Sequence, residues 1–278
     1  DWAGHADIVE GPGGKYFETH ARYQERNFDL LFNGKNSISE AVKITYNVGA
    51  SSLNRQYSSF QNMANGLSIP NEFSLKMATT PEFLLINGYQ RRMNSVYGSA
   101  QLAFFDNIFL DMTARNDWTS TLKSPHSYFY PSVGVSAIFN EWLKLPAWVS
   151  YGKLRASYTR VGNDPDPYLL QQLYAFGLGA GKGFISRSPI KMIPELKPEL
   201  TKSYEAGLDM KFFANRLGFD LTLYKSNTIN QLLNLGMPMA SGYSRQYINA
   251  GNIENKGIEV QLTASPLKKE NLEWQTTF

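Results

Sequence analysis

The chain has 278 residues, 42% hydrophobic and 14% aromatic, and carries a formal net charge of +3 from 18% charged residues. No run of about 18 apolar residues occurs and the mean hydropathy is −0.34, which excludes a helical membrane bundle but not a barrel, half of whose strand residues are polar. No basic cluster stands out, so a nucleic-acid partner is not expected. The absence of cysteine removes a disulfide framework and any thiolate metal site.

Residues 1–14 are irregular and rich in turn formers. A strand with poor alternation is predicted from 15 to about 32, with Asn33-Gly34-Lys35-Asn36 as a turn. From 41 to 51 the alternation is clean, with Val42, Ile44, Tyr46 and Val48 set against Lys43, Thr45, Asn47 and Gly49. Residues 52 to about 87 read as a long polar loop, 88–104 as a strand, and Asp106-Asn107 as a turn. The next strand, 108–117, puts Ile108, Leu110, Met112 and Ala114 on one side and Asp111, Thr113, Arg115 and Asp117 on the other. A loop over about 118–126 leads to a strand at 127–139. Residues 140–150 form a compact turn in which Trp142 and Trp148 suit the aromatic girdle of a membrane interface. A strand at 152–162 is followed by a long loop, 163–197, with the motif DPDP and a glycine-rich run.

The stretch 196–233 carries the clearest pattern. Tyr204, Ala206, Leu208, Met210 and Phe212 alternate with Ser203, Glu205, Gly207, Asp209 and Lys211. Phe213, Ala214 and Asn215 make a turn, after which Leu217, Phe219, Leu221 and Leu223 alternate with Gly218, Asp220, Thr222 and Tyr224. Period two with one apolar face is a strand between two different environments. Both runs reach the length of about 9–11 residues that a tilted strand needs to cross a bilayer. A loop at 236–243, a strand at about 247–264, a turn at 266–269 and a final strand to 278 complete the chain. Short and longer connections alternate, as they do in outer-membrane barrels with short periplasmic turns and longer extracellular loops. The predicted fold is therefore all-β, a transmembrane antiparallel up-and-down β-barrel. Its roughly ten strands form part of a larger closed wall, since open edges cannot be hydrated inside a bilayer. No signal peptide precedes Asp1 and the strand pattern runs out at Phe278, so both ends are expected to lie inside a longer protein.

Six motifs occur in order: ARNDWTSTL (114–122), SYFYPSVGVSAIFNEW (127–142), GKLRASYTRVGN (152–163), LKPELTKSYEAGLD (196–209), DLTLYKSNTINQLL (220–233) and INAGNIENKGIEV (248–260). With the upstream LSIPNEFSL and NSVYGSAQLAF they resemble the C-terminal barrel half of the SusC/RagA family of TonB-linked outer-membrane transporters of Bacteroidetes-type bacteria. The resemblance covers nearly the whole chain from about Tyr46. It implies a wall segment of a 22-stranded barrel embedded in outer-membrane lipid, with 1–278 belonging to one barrel domain. It further implies a plug domain and a TonB box in an N-terminal region outside this sequence, through which the TonB–ExbB–ExbD complex would act. A SusD-like surface lipoprotein would serve as lid, and the substrates would be oligosaccharides or peptides. Nutrient import without catalysis is the expected function. The alternatives are a siderophore- or cobalamin-type TonB-dependent receptor, a non-transport adhesin or scaffold barrel, and a soluble β-sandwich binding module.

Candidate sites weigh as follows. The run GLGAGKG (177–183) fails both GxxxxGK[ST] and GxGxxG and reads as a flexible loop. Asp164 and Asp166 between prolines do not supply the six or more oxygens that calcium wants. The histidines are His5, His20 and His126. Neither HExxH nor GxSxG is present, and His126 beside Ser124 and Ser127 lacks an orienting group. No catalytic residue, metal or cofactor is expected. Arg115 with Asp117, and Glu205 with Asp209, read as a lumenal ion-pair ladder. The loop 163–197 is the candidate for substrate or lid contact through Tyr168, Tyr174 and Phe176, because aromatic rings stack on sugar faces and anchor interfaces.

Overall fold

The structure, a computed structural model, describes residues 2–3, 14–69, 71–124, 126–140, 142–143, 145–179, 182–192, 195–269 and 271–278. Its strands are β1 (Trp2–Ala3), β2 (Lys15–Ser37), β3 (Val42–Leu67), β4 (Ala78–Phe104), β5 (Ile108–Thr119), β6 (Ser127–Ile138), β7 (Val149–Asn163), β8 (Tyr174–Gly179), β9 (Lys182–Arg187), β10 (Ile190–Lys191), β11 (Glu199–Phe212), β12 (Leu217–Gly236), β13 (Arg245–Lys269) and β14 (Leu272–Thr277). No helix among the described residues is long and apolar enough to cross a membrane, which says nothing about crossing by strands.

One twelve-stranded sheet runs β1-β2-β3-β4-β5-β6-β7-β11-β12-β13, with β14 and the two-residue β10 both on β13. Long neighbours are consecutive apart from the excursion β8–β10, and the registered pairs among them are antiparallel. The predicted all-β meander of about ten long strands is what folds.

Registers convert the sequence alternation into continuous stripes. One face carries the row Leu102, Leu110, Val135, Ala156, Ala206, Leu223, Ile258, each opposite the next across seven strands. The opposite face carries Gln101, Asp111, Gly134, Ser157, Glu205, Tyr224, Gly257 in the same manner. Nothing among the described residues covers the apolar face. Among the described residues, the buried hydrophobic side chains are Ala64, Leu67, Leu122 and Leu196, while Leu154, Ile258 and Val260 stand more than half exposed. A soluble domain of this length would hide such a stripe in a core. A sheet that meets hydrocarbon on one face and water on the other has no such need.

Four predicted boundaries differ. The polar loop expected at 52–87 is mostly strand: β3 runs to Leu67 and β4 starts at Ala78, leaving a short link with a 3-10 turn at Leu75–Met77. These strands outrun the bilayer length. With no lipid on either side, apolar alternation is not demanded and period two fades. The turn expected at 33–36 lies inside β2, and the chain reverses at 38–41 instead, where Ile38 N–H donates to Val42 O. The loop 163–197 contains the hairpin β8–β9. The turn expected at 266–269 is strand: β13 continues to Lys269 through a register shift between Ala264 and Leu267, the kind of irregularity at which proline is tolerated.

By internal contacts the chain divides into two units. One comprises Asp1–Phe28 with Ser52–Arg92, the other Asp29–Ser51 with Met93–Phe278. In the first, β2, β3 and β4 are cross-braced by Arg55 on Glu25 at 2.9 Å, by Gln61 Nε2 donating to Thr19, and by stacked rings of His20 on Phe60 and Tyr57 on Tyr89. The second holds the stripes above. Its turns are tight: Phe105 and Asp106, and then Phe213, Ala214 and Asn215, all adopt positive φ between 52° and 62°, the twist that suits short hairpin reversals.

Candidate functional site

The polar face of the second unit is built around residues that reach across a neighbouring strand. Arg155 on β7 lies directly opposite Gly207 of β11, which lies opposite Thr222 of β12. The guanidinium passes over Gly207 and binds Asp220 on β12 twice, Nη1 to Oδ2 at 2.9 Å and Nη2 to Oδ1 at 2.7 Å. It also donates to Thr222 Oγ1 at 2.6 Å, with Glu205 3.8 Å from Nε. A Cβ at Gly207 would sit 2.6 Å from the guanidinium carbon, so glycine is what leaves the path open. Two parallel N–H···O bonds are the strong geometry for this pair.

The same device recurs. Tyr97 on β4 covers Gly49 on β3, where a Cβ would lie 2.6 Å from the ring carbon Cζ, and its hydroxyl donates to Asp29 on β2 at 2.5 Å. Tyr224 on β12 covers Gly257 on β13. Next to Tyr97, Arg115 donates from Nε to Asp117 Oδ1 at 2.7 Å and from Nη2 to Ser95 at 2.9 Å, while Tyr130 OH donates to the other Asp117 oxygen at 3.0 Å. The Arg115 guanidinium lies 5.6 Å from the centre of the Tyr97 ring. A groove of about 810 Å³ opens on this face, lined by Arg155, Glu205, Asp220, Tyr224, Glu259 and Gln261 among others.

At the end of the sheet away from the tight turns, the loop between β7 and β11 is tied down at three places. Asp164 accepts from Thr119 and Thr121, both at 2.8 Å. Asn249 on β13 clamps Lys197, accepting from its N–H at 2.8 Å and donating to its carbonyl at 2.9 Å. Arg187 at the end of β9 stacks 4.0 Å from the centre of the Tyr243 ring and donates to the Gly242 carbonyl at 2.7 Å. The hairpin β8–β9 thus has a fastened base and exposed side chains along its strands: Tyr174 is 63% exposed, Phe176 87% and Ile185 61%.

Tyr174 and Phe176, two apart on β8, share a face of the hairpin, whereas Tyr168 stands in the preceding turn with φ of 68°. The glycine-rich run forms the β8–β9 hairpin, with its tip at 180–181 outside the described residues. His5 also lies outside them. Asp164 is a loop tether. His126 contacts the Leu122 carbonyl oxygen through Nδ1, not a serine. No metal-binding group of His, Asp or Glu occurs among the described residues. Arg115–Asp117 forms as expected, while Glu205 sits beside Arg155. The residues missed from sequence are Arg155, Asp220, Asn249, Arg187 and Tyr243. The first two show the right parity for the polar face, but their pairing spans 65 residues of chain and a third strand.

Residues 4–278 match the family model described as TonB dependent receptor-like, beta-barrel. TonB-dependent receptor P26 of Formosa agariphila is 29% identical over 200 residues, covering 69% of this chain and 20% of its own length. TonB-dependent receptor SusC of Bacteroides thetaiotaomicron is 25% identical over 196 residues, covering 66% of this chain and 20% of its own. Among solved structures, the RagAB peptide transporter superposes with a TM-score of 0.84 at 23% identity, over 95% of this chain and 30% of that one. The outer membrane transporter YddB from Escherichia coli gives 0.63 at 10% identity, over 93% of this chain and 33% of that one. The chain spans about a fifth to a quarter of the curated relatives it matches.

Proposed function

Since the chain belongs to the TonB-dependent receptor-like β-barrel family of outer-membrane proteins, we propose that it forms part of the wall of a SusC-like importer that takes up oligosaccharides or peptides with a SusD-like surface lipoprotein, energised through TonB. The family is one of receptors and transporters rather than enzymes. The observation that carries the reading is the two-sided sheet: an uncovered apolar stripe on one face, and on the other a polar wall held rigid by Arg155–Asp220 and Arg115–Asp117. Long strands and an anchored aromatic hairpin stand at the end away from the short turns. An apolar outer face holds the wall in lipid, the polar inner face gives a hydrated path, and rigid aromatic side chains on a fixed base suit stacking on sugar rings or anchoring a partner. Tyr168, Tyr174 and Phe176 are the contact residues of this reading. The resemblance to the SusC/RagA family is what favours an oligosaccharide or a peptide over an iron chelate, and the RagAB structure it is similar to is titled a peptide transporter.

The test is uptake by cells carrying the full-length polypeptide, with labelled oligosaccharides, labelled peptides and a ferric siderophore offered separately, with and without a proton-motive force. Energy-dependent uptake of the first or second is expected. Uptake of the siderophore alone, or of nothing, sinks the proposal in favour of a metal-chelate receptor or an adhesin. In the hairpin, Tyr174→Ala with Phe176→Ala is expected to raise the half-saturating substrate concentration roughly tenfold, as loss of two aromatic anchors implies.

A further inference from the structure

On the lipid-facing side, the apolar stripe ends in cations. Arg160 on β7 shares parity with Leu154 and Ala156, and Lys202 on β11 with Ala206 and Leu208. Lys225 on β12 continues Leu221 and Leu223, and Lys256 on β13 continues Val260 and Ile258. The registers place Lys202 directly opposite Arg160, and Lys225 directly opposite Lys256. Like charges directly opposite on one sheet face repel, and here two such pairs lie on four successive strands, staggered by two residues because Lys202 faces Asn227 and Lys225 faces Tyr204. Glu254 relieves one of them, lying 2.8 Å from Lys225 and 3.2 Å from Lys256. No acidic group among the described residues relieves the other. Arg160 keeps Nε buried and without a hydrogen-bond partner. The rings of Tyr158 and Tyr204 pack 5.0 Å apart one step nearer the apolar stripe, and the Asn227 amide, one step farther out, donates to Asn252 at 3.1 Å.

By register, the cations lie some eight to eleven residues beyond the level at which the Phe213–Asn215 turn joins β11 to β12. At about 3.3 Å per residue and a tilt of about 40° that is roughly 20–28 Å, the far edge of an apolar band about 25 Å tall. Opposite the periplasmic turns, that edge is the outer leaflet. Long basic side chains there extend to the headgroup level at little cost. The set spans four strands, about 14 Å at the usual strand spacing, which is wider than one phosphodiester and matches a headgroup bearing two separated phosphates.

We propose that Arg160, Lys202, Lys225 and Lys256 form a docking site on the outer wall for a multiply phosphorylated glycolipid of the outer leaflet. One phosphate sits between Arg160 and Lys202 and accepts from the terminal guanidinium amines of the first and the ammonium of the second. A second lies against Lys225 and Lys256, where the single carboxylate of Glu254 leaves one positive charge unbalanced. The Asn227 and Asn252 amides face the sugar, and the tyrosine pair borders the acyl chains. The site would anchor this stretch of wall at the depth the apolar stripe requires.

Native mass spectrometry of the full-length protein, delipidated in detergent and titrated with bis-phosphorylated lipid A, its dephosphorylated form and phosphatidylglycerol, tests this. The bis-phosphorylated lipid is expected to bind at least about tenfold more tightly than the other two. Arg160→Gln with Lys202→Gln should remove most of that difference, since each surface cation contributes substantially to binding anionic headgroups. Lys202→Arg should retain it, and the same charge change on the opposite face, Lys211→Gln, should leave it intact. Heat-modified gel mobility confirms that each variant is folded. Equal binding of all three lipids, phosphatidylglycerol binding as tightly as lipid A, or an undiminished preference in the double variant overturns the proposal.

Discussion

Arg155 reaches Asp220 across a strand to which neither belongs, and Gly207 is the residue that lets it through. Both partners are about one-third exposed, 30% and 32%, on a face that is wet in a barrel, so the pair contributes less than a buried one. Arg155→Leu is expected to lower the unfolding free energy of the full-length protein by about 1 kcal/mol, and a double-mutant cycle with Asp220→Asn to return a coupling of about the same size. Additive single effects would show the pair to be geometric decoration. The first unit has its own ion pair on strand segments beyond the span. There the Glu25 carboxyl is held below its usual range, first by the hydrogen bond from Tyr23, then by that from Arg55. A carboxyl with a depressed folded pKa stabilises above its unfolded value of about 4.3 and loses that contribution as pH falls through the folded one. Hydrogen-exchange protection at residues 23–25 and 53–57, taken relative to the intrinsic rate at each pH, should therefore fall as pH drops below about 4, and Glu25→Gln should flatten the dependence. An unchanged profile in that variant would place the titrating group elsewhere.

At the scale of elements, the informative feature is how the excursion β8–β10 is fastened. Its base is held by the Asn249 side chain on Lys197, by Arg187 on Tyr243 and Gly242, and by Ser244 N–H on the Pro189 carbonyl at 2.8 Å. Asn249 also donates to the Asn230 carbonyl at 2.9 Å, where Asn230 breaks the β12 ladder with φ of 57°. One side chain thus secures both a loop and an irregularity. Asn249→Ala removes three hydrogen bonds, and cleavage within 164–198 in a limited-proteolysis time course is expected to speed up about tenfold or more, given about 1 kcal/mol for each bond lost. Tyr243→Ala should have a smaller effect, because the Arg187 bond to the Gly242 carbonyl survives. If Asn249→Ala leaves cleavage unchanged, the hairpin draws its order from its own pairing alone.

At the scale of the molecule, the sheet order is open, and its apolar stripe has no cover among the described residues. Paired strands with a bare apolar face and unpaired edges are stable in a bilayer only as part of a closed wall. The 278-residue chain expressed alone is therefore expected to aggregate without detergent. A monodisperse species with a cooperative thermal transition in detergent-free buffer would contradict that, and with it the assignment of the Leu102-to-Ile258 row to lipid.

Which faces meet lipid and water was legible in the alternation of 108–117 and 204–224, because two unlike solvents impose period two on any strand between them. The same rule explains what could not be read. Where β3 and β4 pass beyond the bilayer, both faces meet water, the alternation lapses, and strand looks like loop. The turn residues Phe213 and Ala214 show none of the glycine that positive φ usually recruits, although their position between two phased runs marked the reversal. Arg155–Asp220, Tyr97–Asp29 and the opposed cations Arg160 and Lys202 were decided by tertiary structure. Parity assigns a side chain to a face, but its partner depends on register, and register is set by the pairing of whole strands far apart in the chain.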